Sequence, residues 1–169
     1  MDISKVLILL NQARQEKVIS NYAIGGGIAA LFYIEPILTY DLDVFVLIPT
    51  RTDIILLTPI YSFLTNKGFQ WKGEHIIVDN VPVQFILADE LEAEAIKNAR
   101  IRTYRGIKTK VISPEYLVCL FLRAGRSKDL AKIRMILEQS KVNTITLTNV
   151  LTRYNLLDEF TRLKMGGII

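Results

Sequence analysis

Ile24-Gly25-Gly26-Gly27, followed by Thr39-Tyr40-Asp41-Leu42-Asp43-Val44, is the most informative feature of this chain. A triple glycine ends one apolar run, and two carboxylates stand two residues apart in the next. Side chains alternate along a strand, so Asp41 and Asp43 share one face while Leu42 and Val44 turn toward the core. Two carboxylates held side by side repel each other, an arrangement that seldom serves stability alone. A divalent cation relieves the repulsion, and oxygen ligands of this kind suit Mg²⁺. Taken singly, each half has a plainer reading: glycines make tight strand-to-helix turns in any α/β protein, and Asp-x-Asp is also a solvated strand end.

The two halves in this order resemble the signature of the nucleotidyltransferase superfamily with the DNA polymerase β-like fold. The thirteen residues Ile28 to Tyr40 separate the glycines from Asp41, a spacing usual in that family. Val81-Pro82-Val83-Gln84-Phe85, Ser113-Pro114-Glu115-Tyr116-Leu117 and Ala124-Gly125-Arg126-Ser127-Lys128-Asp129 are similar to segments of small bacterial nucleotidyltransferase-fold proteins, among them members of toxin–antitoxin or phage-defence pairs. The resemblance spans residues 20 to about 140.

It implies an α/β, polymerase β-like nucleotidyltransferase fold: a mixed sheet flanked by helices, with a C-terminal helical segment. Residues 1–112 would form the α/β core and 113–169 the helices packed on it as one compact unit. Asp41 and Asp43 would be catalytic and would hold Mg²⁺, with Mn²⁺ as the alternative. Gly25, Gly26, Gly27, Thr39, Arg126 and Lys128 would bind an NTP, the glycines by letting the backbone come close to its phosphates. Lys128 is the first choice for a phosphate partner. The acceptor would be a protein side chain, an RNA end or a small molecule.

One residue departs from the family pattern. Catalytically complete relatives carry a third carboxylate on a later strand, and here that strand offers Gln84. An amide ligates a metal through oxygen but brings no charge and cannot act as a base. The alternative reading is therefore a catalytically impaired relative, serving as a nucleotide-binding or toxin–antitoxin module with a partner protein. Glu74 and Asp79 are the nearby acids that would have to substitute.

Around this centre, periodicity predicts the other elements. Ile3, Val6, Leu7, Leu10 and Ala13 recur at helical spacing behind Asp2 as cap. Asn21–Ile24 and Leu42–Ile48 read as strands, with a helix at Ile28–Tyr33 between them. A helix is expected at Asp53–Asn66, closed by Lys67-Gly68. Short strands follow at Phe69–Lys72, Ile76–Asp79 and Val81–Leu87, with a tight turn at Asp79-Asn80. Asp89–Ala99 reads as a helix with Asp89 as cap and Glu92 in capping-box position. Arg100–Tyr104 and Lys108–Ile112 flank Arg105-Gly106 as a hairpin. Ser113-Pro114 starts a helix running to Arg123; Ser127–Gln139 is another, and one or two more lie between Thr144 and Leu163. The tail Met165–Ile169 is expected to fray.

Bulk properties narrow the function classes. The chain has 169 residues, half of them hydrophobic, and a formal net charge of +4. That charge permits contact with a polyanion without demanding it. Arg100, Arg102, Lys108 and Lys110 would give the hairpin one basic face, read either as a nucleic-acid groove or as an edge protected by charge. Trp71, Tyr104 and Phe69 make no stacking platform. His75 is the single histidine and lacks the partners of a zinc site. Cys119, the only cysteine, sits in an apolar run and reads as a buried small hydrophobe. No apolar stretch is long enough to span a bilayer, and no secretory signal is visible, so a cytoplasmic, non-membrane protein is expected.

Overall fold

A computed structural model describes residues 1–49 and 57–169. Seven strands form one mixed sheet in the order β3-β4-β5-β2-β1-β7-β6. In chain order they are β1 (Asn21–Ile24), β2 (Leu42–Leu47), β3 (Gln70–Lys72), β4 (His75–Val78), β5 (Val81–Leu87), β6 (Arg100–Tyr104) and β7 (Ile107–Val111). β2 pairs with β1 antiparallel and with β5 in parallel; β1 pairs with β7 in parallel. The parallel contacts lie in the middle and hairpins close both ends. Central strands covered on both faces read as apolar runs: Leu42, Val44 and Val46 of β2 and Val83 of β5 have no solvent exposure.

The helices are α1 (Ser4–Gln15), α2 (Gly26–Ala30), α3 (Thr58–Asn66), α4 (Glu90–Lys97), α5 (Pro114–Ala124), α6 (Ser127–Gln139), α7 (Thr144–Arg153) and α8 (Leu157–Met165). α1 packs on β7, α2 and α4 pack on β2, and α5 gathers α2, α4, α6 and α7 around it. α5 is apolar almost all round, Tyr116 to Leu122 being buried, which suits a helix at the centre of the helical layer. Cys119 is fully buried there, its thiol pushed up to about 12 by desolvation and by Glu115 and Glu94.

Several local expectations change. α2 begins two residues before the expected Ile28 and closes after five. The start expected for α3 at Asp53 lies outside the described residues. Asp89 caps α4 by accepting from the N–H groups of Leu91 and Glu92. Glu92 does not complete a capping box, because Arg123 of α5 takes its carboxylate. Ser113 makes no cap: its hydroxyl donates to Glu115 at 2.6 Å. The tail does not hang free, since Arg134 donates to the carbonyls of Gly167 and Ile168. Asp79 and Asn80 both take positive φ, as the tight hairpin turn between β4 and β5 requires.

Candidate active site

The site is assembled by the β1–α2 turn, the start of β2, the middle of β5 and the start of α6. Asp43 lies in β2 between Leu42 and Val44, and Asp41 just precedes the strand. The parallel register sets Gln84 directly beside Asp43. One residue beyond the Ile76–Val83 pair, the β4–β5 register brings His75 next to Gln84. Asp43, Gln84 and His75 thus form a row across three strands. His75 Nε2 stands 3.7 Å from Asp41 Oδ2 and has no hydrogen-bond partner among the described residues.

The glycines serve this geometry by making room for neighbouring side chains. A Cβ on Gly25 would lie 2.1 Å from the Phe45 ring, one on Gly26 1.7 Å from Asp43 Oδ2, and one on Gly27 2.6 Å from Thr39 Oγ1. Each glycine thus makes room for a side chain of β2 or of the loop before it. Gly26 also takes φ +55, which favours glycine on its own account. The Gly25 N–H donates to the Asp43 carbonyl at 2.9 Å, locking the turn to the carboxylate strand.

A cleft of about 320 Å³ opens over Asp41, Asp43 and Gln84, walled by Gly27, Thr39, Arg126, Lys128 and Lys132, with Ile37, Leu38 and Met135 as an apolar ledge. Burial raises the Asp43 pKa, and the neighbouring Asp41 charge adds to this; Arg126 and Lys132 pull it back. Lys128 lines the cleft but is exposed. Arg126 and Lys132 are held more firmly, because both bond Asp129, a carboxylate with no exposure: Arg126 Nε at 2.6 Å and Lys132 Nζ at 2.8 Å. Sequence reasoning named Arg126 and Lys128 and missed Lys132 and the Asp129 that anchors it. The missed signal was the three-residue spacing of Asp129 and Lys132 on one helix face.

Among the described residues, no three His, Cys, Asp or Glu side chains group closely enough to hold a metal by themselves. Two carboxylates and an amide nevertheless fit Mg²⁺, which is commonly held by one or two carboxylates together with substrate phosphates. Such an ion would relieve the Asp41 repulsion that adds to burial in raising Asp43. Glu74 and Asp79, the acids suggested as substitutes for a third carboxylate, are exposed and do not line this cleft.

The basic hairpin does not present one face. Its two-residue turn pairs Arg100 with Val111 and Arg102 with Thr109, but Ile101 with Lys110 and Thr103 with Lys108. Directly paired residues share a face, so the two arginines and the two lysines lie on opposite sides. Arg100 is also committed to Glu115 at 3.1 Å, and both arginines lie over the Tyr33 ring.

No protein-family model matches the chain, and no curated protein matches it in sequence. Solved structures do match. An antigenic nucleotidyltransferase-like protein from Paracoccidioides brasiliensis is 18% identical with a TM-score of 0.58, covering 95% of this chain and 89% of that one. The solution structure of the antibiotic-resistance factor ANT(2'')-Ia is 13% identical with a TM-score of 0.54, covering 99% and 98%. A crystal structure of ANT(2'')-Ia in complex with adenylyl-2''-tobramycin is 14% identical with a TM-score of 0.51, covering 88% and 97%. None of the helices in the described residues is long and apolar enough to cross a membrane.

Proposed function

Because the chain has the nucleotidyltransferase fold, we propose that it transfers a nucleotidyl group from an NTP to a hydroxyl acceptor, with Asp41 and Asp43 holding Mg²⁺. The observation that carries this reading is the pairing of Asp43 with Gln84 beneath a cleft whose far wall supplies Arg126, Lys128 and Lys132. Three cations facing two carboxylates suit a triphosphate that shares a divalent ion with the protein. The ledge of Ile37, Leu38 and Met135 offers an apolar rest for the base. A resident ion would neutralise charge on the phosphates and on the departing pyrophosphate. The residues themselves bind and orient. Lys132 and Arg126, fixed by Asp129, clamp phosphate oxygens, and Asp43 is braced by the Gly26 turn. In the step, the acceptor oxygen bonds to the α-phosphorus as the bond to pyrophosphate breaks. Pyrophosphate leaves with the electron pair, and the hydroxyl proton passes to solvent. The adenylylated tobramycin bound to ANT(2'')-Ia is a product of this general kind on the same fold.

Calorimetric titration of each NTP with Mg²⁺ tests the reading. Binding is expected in wild type and not in Asp41→Ala/Asp43→Ala; equal binding by both proteins would sink it. A second reading rests on Gln84, the amide beside Asp43. With no carboxylate there, the chain would bind nucleotide without turnover, as a sensor or a toxin–antitoxin module. Transfer of labelled nucleotide to any acceptor excludes this second reading.

A further inference from the structure

The basic hairpin forms a cation cluster that the proposed transfer does not use. Glu115 takes up Arg100, and both Arg100 and Arg102 lie over the Tyr33 ring. Lys108 and Lys110 turn instead toward α1, where Arg14 joins them around a cleft of about 270 Å³. This cleft shares no lining residue with the one over Asp41 and Asp43.

The fold pins the three cations together. Asn11 of α1 donates from Nδ2 to the Lys108 carbonyl at 3.0 Å, and its Oδ1 accepts from the Tyr22 hydroxyl at 2.9 Å. That hydroxyl also lies 3.3 Å from Thr109 Oγ1, so α1, β1 and β7 meet in one hydrogen-bonded knot. Arg14 follows Asn11 by three residues and therefore shares its side of α1. Ile101 pairs with Lys110 across the hairpin and stands on the same face.

Three features favour an anion here. No acid lines the cleft. Among the described residues none of its three cations makes a salt bridge, whereas Arg100, Arg123, Arg126 and Lys132 each have a carboxylate partner. The charges also oppose one another: burial holds the Lys110 ammonium below the usual lysine range, and the Arg14 charge pushes it the same way. Like charges kept together without a counter-charge are costly, and a bound anion removes that cost. Finally, the donors can be reached. Arg14 and Lys108 are exposed and Lys110 is half-buried, while Ile101, 65% exposed, sets an apolar surface beside them.

We propose that this cleft is a second anion site, taking a phosphate group against Arg14, Lys108 and Lys110 and the sugar-sized body attached to it against Ile101. Its volume is only a little below that of the cleft assigned to the NTP, so it holds more than a lone phosphate. A free nucleotide and one unit of a single-stranded RNA offer this same chemistry, and the test separates them.

Side-chain NMR on the full chain without Mg²⁺ provides that test, with AMP, adenosine and a short oligoadenylate RNA as probes. AMP should shift the Ile101 and Thr109 methyls, and adenosine, which lacks the phosphate, should not. Lys110→Met should weaken AMP at this cleft roughly tenfold, the loss of one charge-assisted hydrogen bond. Arg14→Gln should do the same, and because Arg14 is exposed it keeps the test open if Lys110→Met fails to fold. Lys164→Gln, which changes a lysine lining a different cleft, should leave binding unchanged. Oligoadenylate that binds at the same methyls much more tightly than AMP, with affinity falling steeply as salt rises, supports the site and identifies a strand as its ligand. Oligoadenylate that binds no better than AMP supports the site and identifies a free nucleotide. The proposal is overturned if neither AMP nor oligoadenylate moves Ile101, or if adenosine moves it as far as AMP does. It is equally overturned if both cleft variants bind like wild type, or if Lys164→Gln weakens binding as much as they do, which would mean diffuse charge only. Ile37, Leu38 and Met135 report the first cleft separately, so a failure of NTP binding there would count against the transfer alone.

Discussion

Replacing Gly26 with alanine probes the link between the glycine turn and the carboxylate pair. Two costs follow from the structure. The residue sits at φ +55, where a Cβ costs roughly 1–2 kcal/mol. The new Cβ would lie 1.7 Å from Asp43 Oδ2 and 2.7 Å from its Cγ. To reach even a tight contact of about 3.0 Å, the oxygen must retreat by about 1.3 Å. That forces the side chain off its rotamer at roughly 0.5–1.5 kcal/mol. Gly26→Ala should therefore destabilise the fold by about 2–3 kcal/mol, read from urea unfolding as a lower midpoint at unchanged slope. In an Asp43→Ala background the carboxylate clash is gone, only a tight 3.1 Å contact with the residue 43 Cβ is left, and the cost falls toward the backbone's share of about 1–2 kcal/mol. The double-mutant cycle should thus return a coupling of roughly 1 kcal/mol. A Gly26→Ala cost that is the same in both backgrounds, or absent in the first, would refute the reasoning. The displaced carboxylate should also weaken Mg²⁺–NTP binding in calorimetry.

Three further outcomes are expected. Asp43 has its pKa raised by burial and by Asp41, so the folded, nucleotide-free protein holds this proton more tightly than the unfolded chain and loses stability as pH rises past the ordinary carboxylate value. Asp43→Asn should accordingly raise the thermal midpoint at pH 7 and flatten that slope; a lower midpoint would contradict the assignment. Glu115 behaves oppositely: burial would push its pKa up, but the Asn143 N–H, the Ser113 hydroxyl and Arg100 hold it below the usual range. Its stabilisation is complete above the ordinary carboxylate pKa and is lost as pH falls through the depressed one, so Glu115→Gln should cost about 2–4 kcal/mol near neutrality and shrink the acid-induced loss. Finally, Lys132→Ala should reduce NTP affinity more than Lys128→Ala does, and Asp129→Asn should reduce it as well by loosening Arg126 and Lys132; calorimetry showing the reverse order would return the phosphate role to Lys128.

Sequence periodicity captured most of the elements because apolar spacing reports which face is buried. β5 and α6 fall on their expected bounds, and β2 ends one residue early. The misjudged caps are those where another side chain wins the capping group. Glu92 leaves its capping role for Arg123, thirty-one residues away, and Ser113 gives up its cap to Glu115, two residues on. The basic hairpin was misjudged by parity: a two-residue turn puts even-numbered residues of β6 and β7 on opposite faces.

The Gly-Gly-Gly and Asp-x-Asp stretch carried the resemblance that implied the fold, and strand alternation, a local property that one chain segment expresses alone, set Asp41 and Asp43 on one face. It could not say what surrounds the carboxylates. That Gln84 and His75 complete their row follows from inter-strand register, and register is set by pairings across the whole sheet. That Asp129 turns Lys132 toward the site follows from burial, which belongs to the packed molecule and not to any segment of it.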